Sequence, residues 1–399
     1  MSSLRVAIVA TSLRLAGAEK QTYYMARALH QAGIDVAFVH AGGGGHYETE
    51  LTRAGVPVAK IFTANRPWLM LAKIFGVMRR FQPHVVMAAQ FGDLCYAAVA
   101  GRLCGALTLG GVRSNGVYEL DAHGRASRWM IRLAHGLIAN SNHARKNLVS
   151  RGIAPEKIKV LPNVIDLQLF DQRCALAPDF SPPAGRIIAT ALGSLLECKR
   201  FDRFLEALAQ AKVRVPELLG VIAGKDCGAR AQLEARARKL GLGPQDVLFA
   251  GEVGNAPALL ARSAFLVLTS DYEGFPNVIL EAMAARLPVV SVPAGDAALI
   301  VQHGRTGYLA EASDTRGLAE CMIKLAQSPE LRGRFGEAGR RRVEMEFDYP
   351  LLADRLFATI QKFASRQRRH SLCELLERDG STRSVANIPT TLMFEPPGA

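Results

Sequence analysis

The sequence predicts an α/β protein made of two doubly wound βαβ domains. Three observations carry that prediction. Short apolar runs rich in β-formers alternate with stretches of helical periodicity, which is how buried parallel strands and their covering helices read in sequence. The alternation runs through the first 170 residues, stops in an irregular stretch at 171–185 with prolines at 178, 182 and 183, and restarts at Arg186. The chain's 399 residues exceed one ordinary core, and its 49% hydrophobic content is enough to fill two buried sheets.

In the first half, Arg5 to Ala10 reads as a buried strand, and Ala16-Gly17-Ala18-Glu19 opens a helix that Gly33 stops. Asp35 to His40 is the next strand, which completes a βαβ opening. The first turn lacks the G-x-G-x-x-G fingerprint, so a nicotinamide cofactor is not indicated. Gly17 lets backbone approach a ligand or simply makes a tight turn. Gly42 to Gly45 are four consecutive glycines, suited to wrapping an acceptor or to an exposed turn. Pro67 to Phe81 is an amphipathic helix that sets Trp68, Leu69, Leu71, Ile74, Phe75 and Met78 against Lys73, Arg79 and Arg80. Such a helix serves at a membrane interface or as the packing helix of a βαβ unit with a solvated basic edge. Val85 to Ala89 and Leu107 to Val112 are strands, the second running into Arg113. Leu137 to Asn140 is another strand, followed by a helix capped by Ser141. Ile158 to Leu161 then leads to Pro162-Asn163-Val164-Ile165-Asp166 and Phe170.

In the second half, Arg186 to Leu192 is a strand, Gly193 turns the chain, and Phe201 to Ala211 is a helix. Strands follow at Leu218 to Gly224 and Val247 to Ala250, with a helix at Ala229 to Leu240 between them and another at Ala256 to Arg262 after them. The apolar run Ala264 to Leu268 then precedes Thr269 to Met283, the stretch most informative about chemistry. It places Glu273 in a turn and Glu281 on the helix beyond. Gly274 frees the backbone, and Phe275 is pushed out of the α region by Pro276, which itself suits a first helical turn. A strand, turn and helix of this kind offers free amides and a positive dipole end, a seat for phosphate. Two carboxylates beside a phosphate seat fit a partner rich in hydroxyls, such as a nucleotide sugar. Pro288 to Val292 is one more strand, followed by the loop Ala294-Gly295-Asp296. Residues 315–327 and 329–346 read as helices, Phe347 to Ala364 continues helical, and 365–399 reads as a weakly ordered basic tail with a short helix around Leu372 to Leu376.

Composition narrows the partners. The formal net charge of +13 calls for an anionic partner, and without interleaved aromatic and basic recognition motifs nucleic acid is not expected. Anionic headgroups or a diphosphate-bearing substrate fit better. The seven cysteines are scattered with no C-x-x-C pair, against a disulfide framework or a zinc site. With no secretory signal and no apolar run long enough to span a bilayer, a cytoplasmic protein is expected, free or resting on the inner face of a membrane.

Four motifs then occur in order. They are S-x6-L from Ser141 leading to the PNVID segment and Phe170, G-x5-K-x2-D at Gly193, Lys199 and Asp202, FAGEV at 249–253, and EGFPNVILEAMA at 273–284 followed by PVV and GxTGYL. On these the stretch Ser141 to Leu309 resembles the retaining glycosyltransferases of family 4, which have the two-Rossmann GT-B fold. The resemblance implies an N-terminal acceptor domain (1–170), a C-terminal nucleotide-sugar domain (186–346), a cleft between them, and a helix (347–364) crossing back to the first domain. It implies that Glu281 holds the ribose hydroxyls and Glu273 lies near the donor sugar. Gly274 and Phe275 would offer amides to sugar hydroxyls, with Asn277 and Val278 near the diphosphate, Glu252 and Val253 against the base, and Gly193 and Gly17 lining the donor. Lys199 would neutralise the diphosphate, since no aspartate-rich metal motif is present and no metal or other cofactor is expected.

Three positions depart from the family pattern. Ser194 stands where an arginine usually shares the diphosphate load, and Arg200 is near enough in sequence to replace it. Arg113 stands about where many members have a histidine; a guanidinium cannot act as a base at neutral pH but clamps hydroxyls or phosphate. Ala298 replaces the usual glutamate of the G-G-x-x-E loop, leaving Asp296 as the nearest carboxylate. The resulting expectation is retaining transfer to a lipid-linked or polysaccharide acceptor in cell-envelope glycan synthesis. The alternatives are a catalytically silent sugar-nucleotide-binding subunit, or another GT-B enzyme such as a sugar-nucleotide epimerase or a glycan phosphorylase.

Overall fold

The computed structural model describes residues 3–381 apart from 15, 43, 64, 65 and 181. Residues 382–399 of the expected tail and Gly43 of the glycine loop lie outside the described residues. The chain forms two compact units, one from residues up to Asn163 and from Tyr349 onward, the other from Val164 to Asp348.

The first unit opens with β1 (Arg5–Ala10), α1 (Gly17–Gln31), β2 (Asp35–His40), α2 (His46–Arg53), β3 (Val58–Lys60) and α3 (Pro67–Phe81). It continues through β4 (Val85–Ala88), α4 (Leu94–Leu103), β5 (Leu107–Val112), α5 (Val117–Leu133), β6 (Gly136–Ala139), α6 (Asn142–Ser150) and β7 (Ile158–Val160). The seven strands pair in parallel in the order β3-β2-β1-β4-β5-β6-β7. Burial on both faces explains the near-continuous apolar strands. The glycine loop serves close backbone approach: a Cβ on Gly42 would stand 2.3 Å from the Thr11 carbonyl oxygen, and one on Gly45 2.4 Å from that of Leu13.

The second unit begins earlier than the proline-rich stretch suggests. Helix α7 (Leu167–Cys174) buries Leu167 and Phe170 with Leu260, Ile279 and Met283, so this segment belongs to the C-terminal core and not to the domain before it. There follow β8 (Ile187–Leu192), α8 (Phe201–Lys212), β9 (Leu218–Ala223), α9 (Arg230–Lys239), β10 (Val247–Gly251), α10 (Ala256–Leu260) and β11 (Phe265–Leu268). Then come α11 (Asn277–Ala284), β12 (Val289–Ser291), α12 (Ala297–Ile300), β13 (Gly307–Leu309), α13 (Thr315–Gln327) and α14 (Pro329–Glu346). These six strands are also parallel, in the order β10-β9-β8-β11-β12-β13.

The helix expected over 347–364 is interrupted. Phe347 and Asp348 leave the helical region, Tyr349 to Leu351 make one 3₁₀ turn around Pro350, and α15 (Leu352–Arg366) starts afresh. Phe347 is buried in the second unit, whereas Tyr349 donates its hydroxyl to Gln31 in the first at 2.8 Å. The chain thus returns to the first unit at this break. The short helix expected around Leu372 to Leu376 is present and longer: α16 (His370–Ser381) buries Leu372 and Leu376, one turn apart, and its Asp379 accepts the Leu4 amide at 3.0 Å, so this part of the tail is ordered. Among the described residues no helix is long and apolar enough to cross a membrane.

Helix α15 is docked on the first unit through a tight contact. A Cβ on Gly136, at the start of β6, would lie 2.2 Å from the Phe363 ring. Gly136→Ala therefore overpacks this contact and is expected to destabilise the first unit by about 1–3 kcal/mol, read as a lowered Tm. An unchanged Tm would mean that α15 moves aside freely.

Candidate functional site

In the second unit the winding proceeds from β8 outward to β10, then returns to place β11 on the other side of β8. Loops leaving neighbouring strands in opposite directions open a crevice at their carboxyl ends. Lys199, on the loop after β8, and Glu273, on the loop after β11, meet there: Lys199 Nζ donates to Glu273 Oε1 at 2.7 Å. The side chains are 22% and 12% exposed, so the pair is shielded but open on one side. Ser270, which the sequence reading does not single out, donates its hydroxyl to the same oxygen at 2.8 Å. The loops are also stitched by backbone, with Asp271 N donating to Cys198 O at 2.8 Å and Thr269 Oγ1 to Lys199 O at 3.0 Å.

Behind this pair, Arg200 takes a left-handed backbone conformation (φ 50°) and turns its guanidinium inward. Nη2 and Nε donate to Asp202 at 2.8 and 3.0 Å, and Nη1 to Asp271 at 3.2 Å. Arg203 shares Asp271 at 2.6 Å. Burial pushes the Asp202 carboxyl up, yet the hydrogen bond and charge of Arg200 outweigh it and hold the group below the usual carboxylate range. Arg200 is thus committed to two carboxylates, which counts against its expected replacement of the arginine absent at Ser194.

The turn 273–276 is shaped from the opposite side by the loop after β12. Gly295 has φ +58°, and a Cβ there would lie 2.4 Å from Glu273 O and 2.5 Å from Gly274 O. Asp296 N donates to Gly274 O at 3.2 Å. Because each peptide is trans, carbonyls aimed at this loop leave the Gly274 and Phe275 amides pointing away from it. Among the described residues the amides of Glu273, Gly274 and Phe275 have no protein acceptor. The Phe275 ring is buried against Phe347, their centroids 5.7 Å apart, and this anchors the turn. Asn277 and Val278 form the first turn of α11, and Glu281 sits one turn further on, half-buried.

The other expected donor residues are more dispersed. Gly193 ends β8 within 4 Å of Lys199, as measured from a Cβ built on it. A Cβ on Gly224 would stand 1.9 Å from Gly193 O, so the β9 loop presses directly on this turn. Exposed Glu252 and half-buried Val253 follow β10, two strands from β8. Among the described residues no group of three or more His, Cys, Asp or Glu converges as a metal cluster.

Arg113 and Gly17 belong to the first unit. Gly17 is exposed at the start of α1. Arg113 follows β5, with Nη2 donating to Met25 Sδ at 2.8 Å and Nε to Ala89 O at 3.4 Å, and it has no carboxylate partner among the described residues. Burial pushes its guanidinium down to about 10. This sheet reverses between β1 and β4, and there sits a cluster that the sequence reading missed. Asp93 accepts from Thr11 Oγ1 at 2.6 Å and from the Thr11 and Gln90 amides, each at 3.0 Å. Glu19 accepts from Ser12 at 3.0 Å and Gln90 at 3.2 Å. The Gln90–Asp93 pair forms a capping box, whose polar spacing of three was the available signal.

Comparison with known proteins covers both units. The profile described as Glycosyltransferase Family 4 matches residues 15–169, and that described as Glycosyl transferases group 1 matches 176–342. The chain is 31% identical over 210 residues to the N-acetyl-alpha-D-glucosaminyl L-malate synthase of Bacillus anthracis, covering 52% of this chain and 54% of that protein. It is 28% identical over 231 residues to a lipopolysaccharide core biosynthesis mannosyltransferase of Rhizobium leguminosarum, covering 56% and 64%. The matches thus span only about half to two thirds of these relatives. Among solved structures, the Anabaena protein HepE in complex with UDP and glucose superposes with a TM-score of 0.75 at 21% identity, over 90% of this chain and 99% of that one. A glycosyltransferase from Rickettsia africae gives 0.75 at 16% identity, over 91% and 99%.

The Asp93 cluster makes a pH prediction. Burial pushes the Asp93 carboxyl up from 3.8 to about 6, partly offset by its three hydrogen bonds. A carboxyl that holds its proton more tightly when folded stabilises the fold fully below its unfolded value, and loses that contribution as pH rises through about 6. Relative to Asp93→Asn, which cannot ionise, the wild-type Tm is expected to fall between pH 4 and 7. A Tm difference that stays flat across this range would refute the assignment.

Proposed function

We propose that this chain, which belongs to glycosyltransferase family 4 and has the GT-B fold, moves a sugar from a nucleoside diphosphate sugar to an acceptor hydroxyl with retention of anomeric configuration and without a bound metal. The observation that carries this reading is the Lys199–Glu273 pair beside the unpartnered amides of Glu273, Gly274 and Phe275. An ammonium, open amides and the positive end of α11 form a field suited to the charge that develops on a departing diphosphate. With donor bound, the diphosphate would compete for Lys199, and Glu273, still held by Ser270, would face the sugar carbon as positive charge develops there. The leaving phosphate oxygen would take the acceptor proton on the same face, so no covalent glycosyl intermediate is needed. Glu281 would hold the ribose hydroxyls. Arg113, a cation without a carboxylate partner, fits a clamp on hydroxyls or phosphate and not a base.

The acceptor in this reading is a lipid-linked or growing polysaccharide precursor. Relatives named for lipopolysaccharide core biosynthesis favour it, as does the outer face of α3. Trp68 is 84% exposed and Leu69 is exposed on the first turn, Phe62 is exposed in the segment before the helix, and the exposed Lys73, Arg79 and Arg80 follow along the helix to its last turn. Only Ile74 and Met78 of this helix are buried. Exposed apolar residues at one end of a helix and cations along the rest of it suit an anionic bilayer surface.

The reaction is tested by the anomer formed from a turned-over nucleotide sugar, and an inverted product would refute retention. Glu273→Ala is expected to lower kcat roughly a hundredfold or more with little change in donor KM. Glu281→Ala is expected to raise donor KM about tenfold. Equal losses confined to donor affinity in both variants would undo this division of roles. For the membrane reading, the wild-type chain should float with vesicles containing anionic lipid, and a variant with Trp68→Ser and Lys73, Arg79 and Arg80 changed to Gln should not. Equal flotation of the two would favour a soluble acceptor.

A further inference from the structure

Helix α14 is rich in arginine, and its arginines are not used alike. Arg340 donates to Asp171 at 2.7 Å, to Glu344 at 2.7 Å and to Ala284 O at 2.9 Å, which ties α14 to α7 and α11. Arg332 caps the end of α13 through Leu325 O and Ala326 O at 2.7 and 2.8 Å. Arg341 and Arg342 differ. Together with Arg305 and Gln302 from the turn before β13, and with Glu346 and Met345, they line a recess of about 130 Å³, several times the roughly 30 Å³ of a water molecule.

Arg342 is the floor of this recess. It is only 8% exposed. Its Nη2 donates to Leu299 O at 3.0 Å and to Glu346 Oε2 at 3.2 Å, and among the described residues neither Nε, which is closed off from solvent, nor Nη1, which is not, has an acceptor. A donor left open beside a recess is the one that a ligand there can satisfy, and here that donor is Nη1. Burial pushes its pKa down, the Glu346 carboxylate pulls it back up, and the positive charge of Arg305 adds to the downward push, so Arg305 stands close enough to be felt. Arg305 and Arg341 are exposed, and among the described residues neither makes an ion pair or a side-chain hydrogen bond. Three guanidiniums face one carboxylate here, which leaves the recess doubly positive.

We propose that this recess is a binding site for a phosphate monoester dianion, separate from the loops after β8 and β11. Two negative charges match its excess. Tetrahedral oxygens also suit two or three planar forks that converge from a helix and a turn, where a single carboxylate would satisfy only one. Gln302 adds a neutral donor for the ester oxygen or a neighbouring hydroxyl. The ester carried by the phosphate is either a soluble phosphorylated polyol or sugar, or a phospholipid headgroup. Exposed Met345 on the rim is compatible with the second.

The test uses the full chain and two probes: glycerol phosphate in solution, and vesicles of phosphatidylcholine with or without phosphatidic acid. Wild-type protein is expected to bind glycerol phosphate in calorimetric titration. The double variant Arg305→Gln/Arg341→Gln, whose exposed positions leave the fold intact, should bind about tenfold or more weakly. Lys199→Ala should keep this binding, which separates it from any phosphate seated beside α11. Phosphatidic acid vesicle binding that is equal in wild type and the double variant, beside weakened glycerol phosphate binding in the variant, assigns a soluble phosphate ester, and vesicle binding that weakens in the double variant as well assigns a headgroup. Equal affinity for glycerol phosphate in wild type and the double variant, loss of binding in Lys199→Ala protein that keeps the wild-type Tm, or no binding of either probe would overturn the proposal.

Discussion

The second unit depends on one contact across its topological reversal, the 2.7 Å ion pair between Lys199 and Glu273. Because the chain returns to lay β11 beside β8, the loops after these two strands diverge and the sheet's carboxyl edge is left open at this point. Opposite charges bridge that opening, while the Asp271 amide donating to Cys198 O and the Thr269 hydroxyl donating to Lys199 O hold the two loops in register. Removing either partner would leave the other charge partly buried and uncompensated, which costs more than the pair itself contributes. The pair is therefore a structural bridge whatever chemistry it serves. A phosphate that displaces Glu273 from Lys199 replaces one anion by another and leaves no charge stranded.

The first unit repeats the winding with opposite electrostatics. At its reversal between β1 and β4 the bridging contact is Thr11 to Asp93, a carboxyl held by neutral donors. With no cation against it among the described residues, burial decides, and the group holds its proton up to about pH 6. Glu19 lies close by on the same Gln90 side chain. One crevice thus presents a cation and open amides, fit for phosphate. The other presents carboxyl groups and hydroxyls, fit for neutral polar groups. The same topological rule yields both because it decides where a site lies and leaves its charge to the residues placed there.

Most of the strand framework was legible because buried parallel strands need apolar runs, and runs such as Arg5–Ala10 and Leu218–Ala223 have no competing reading. What escaped depended on contacts remote in sequence. The segment of α7 reads as a domain's end beside a proline-rich linker, yet Phe170 finds its partners more than a hundred residues later in α11. The break at 347–351 is signalled by Pro350, but a helical pattern on both sides masks it. Helix α5 carries a non-helical Gly124 (φ 48°) in a polar stretch, which obscures its period. In the site, the motif residues on the loops after β8 and β11 were legible one by one. Their pairing was not, since Lys199 and Glu273 are 74 residues apart and nothing local distinguishes a free lysine from a bridged one.

Arg200 shows what such pairing decides. In sequence it stands next to Lys199, an obvious substitute for a cation missing at Ser194. In space its left-handed backbone swings the guanidinium to Asp202 and Asp271, and Arg203 reinforces Asp271 from the other side. To meet a diphosphate it would have to leave two carboxylates, one of which is held ionised by Arg200 itself. The cheaper arrangement leaves Arg200 where it is, bracing the loop that presents Lys199. In the proposed reaction the charge of a departing diphosphate would then fall, within this unit, on Lys199, the helix end and the amides of 273–275, a set in which the lysine carries the full positive charge.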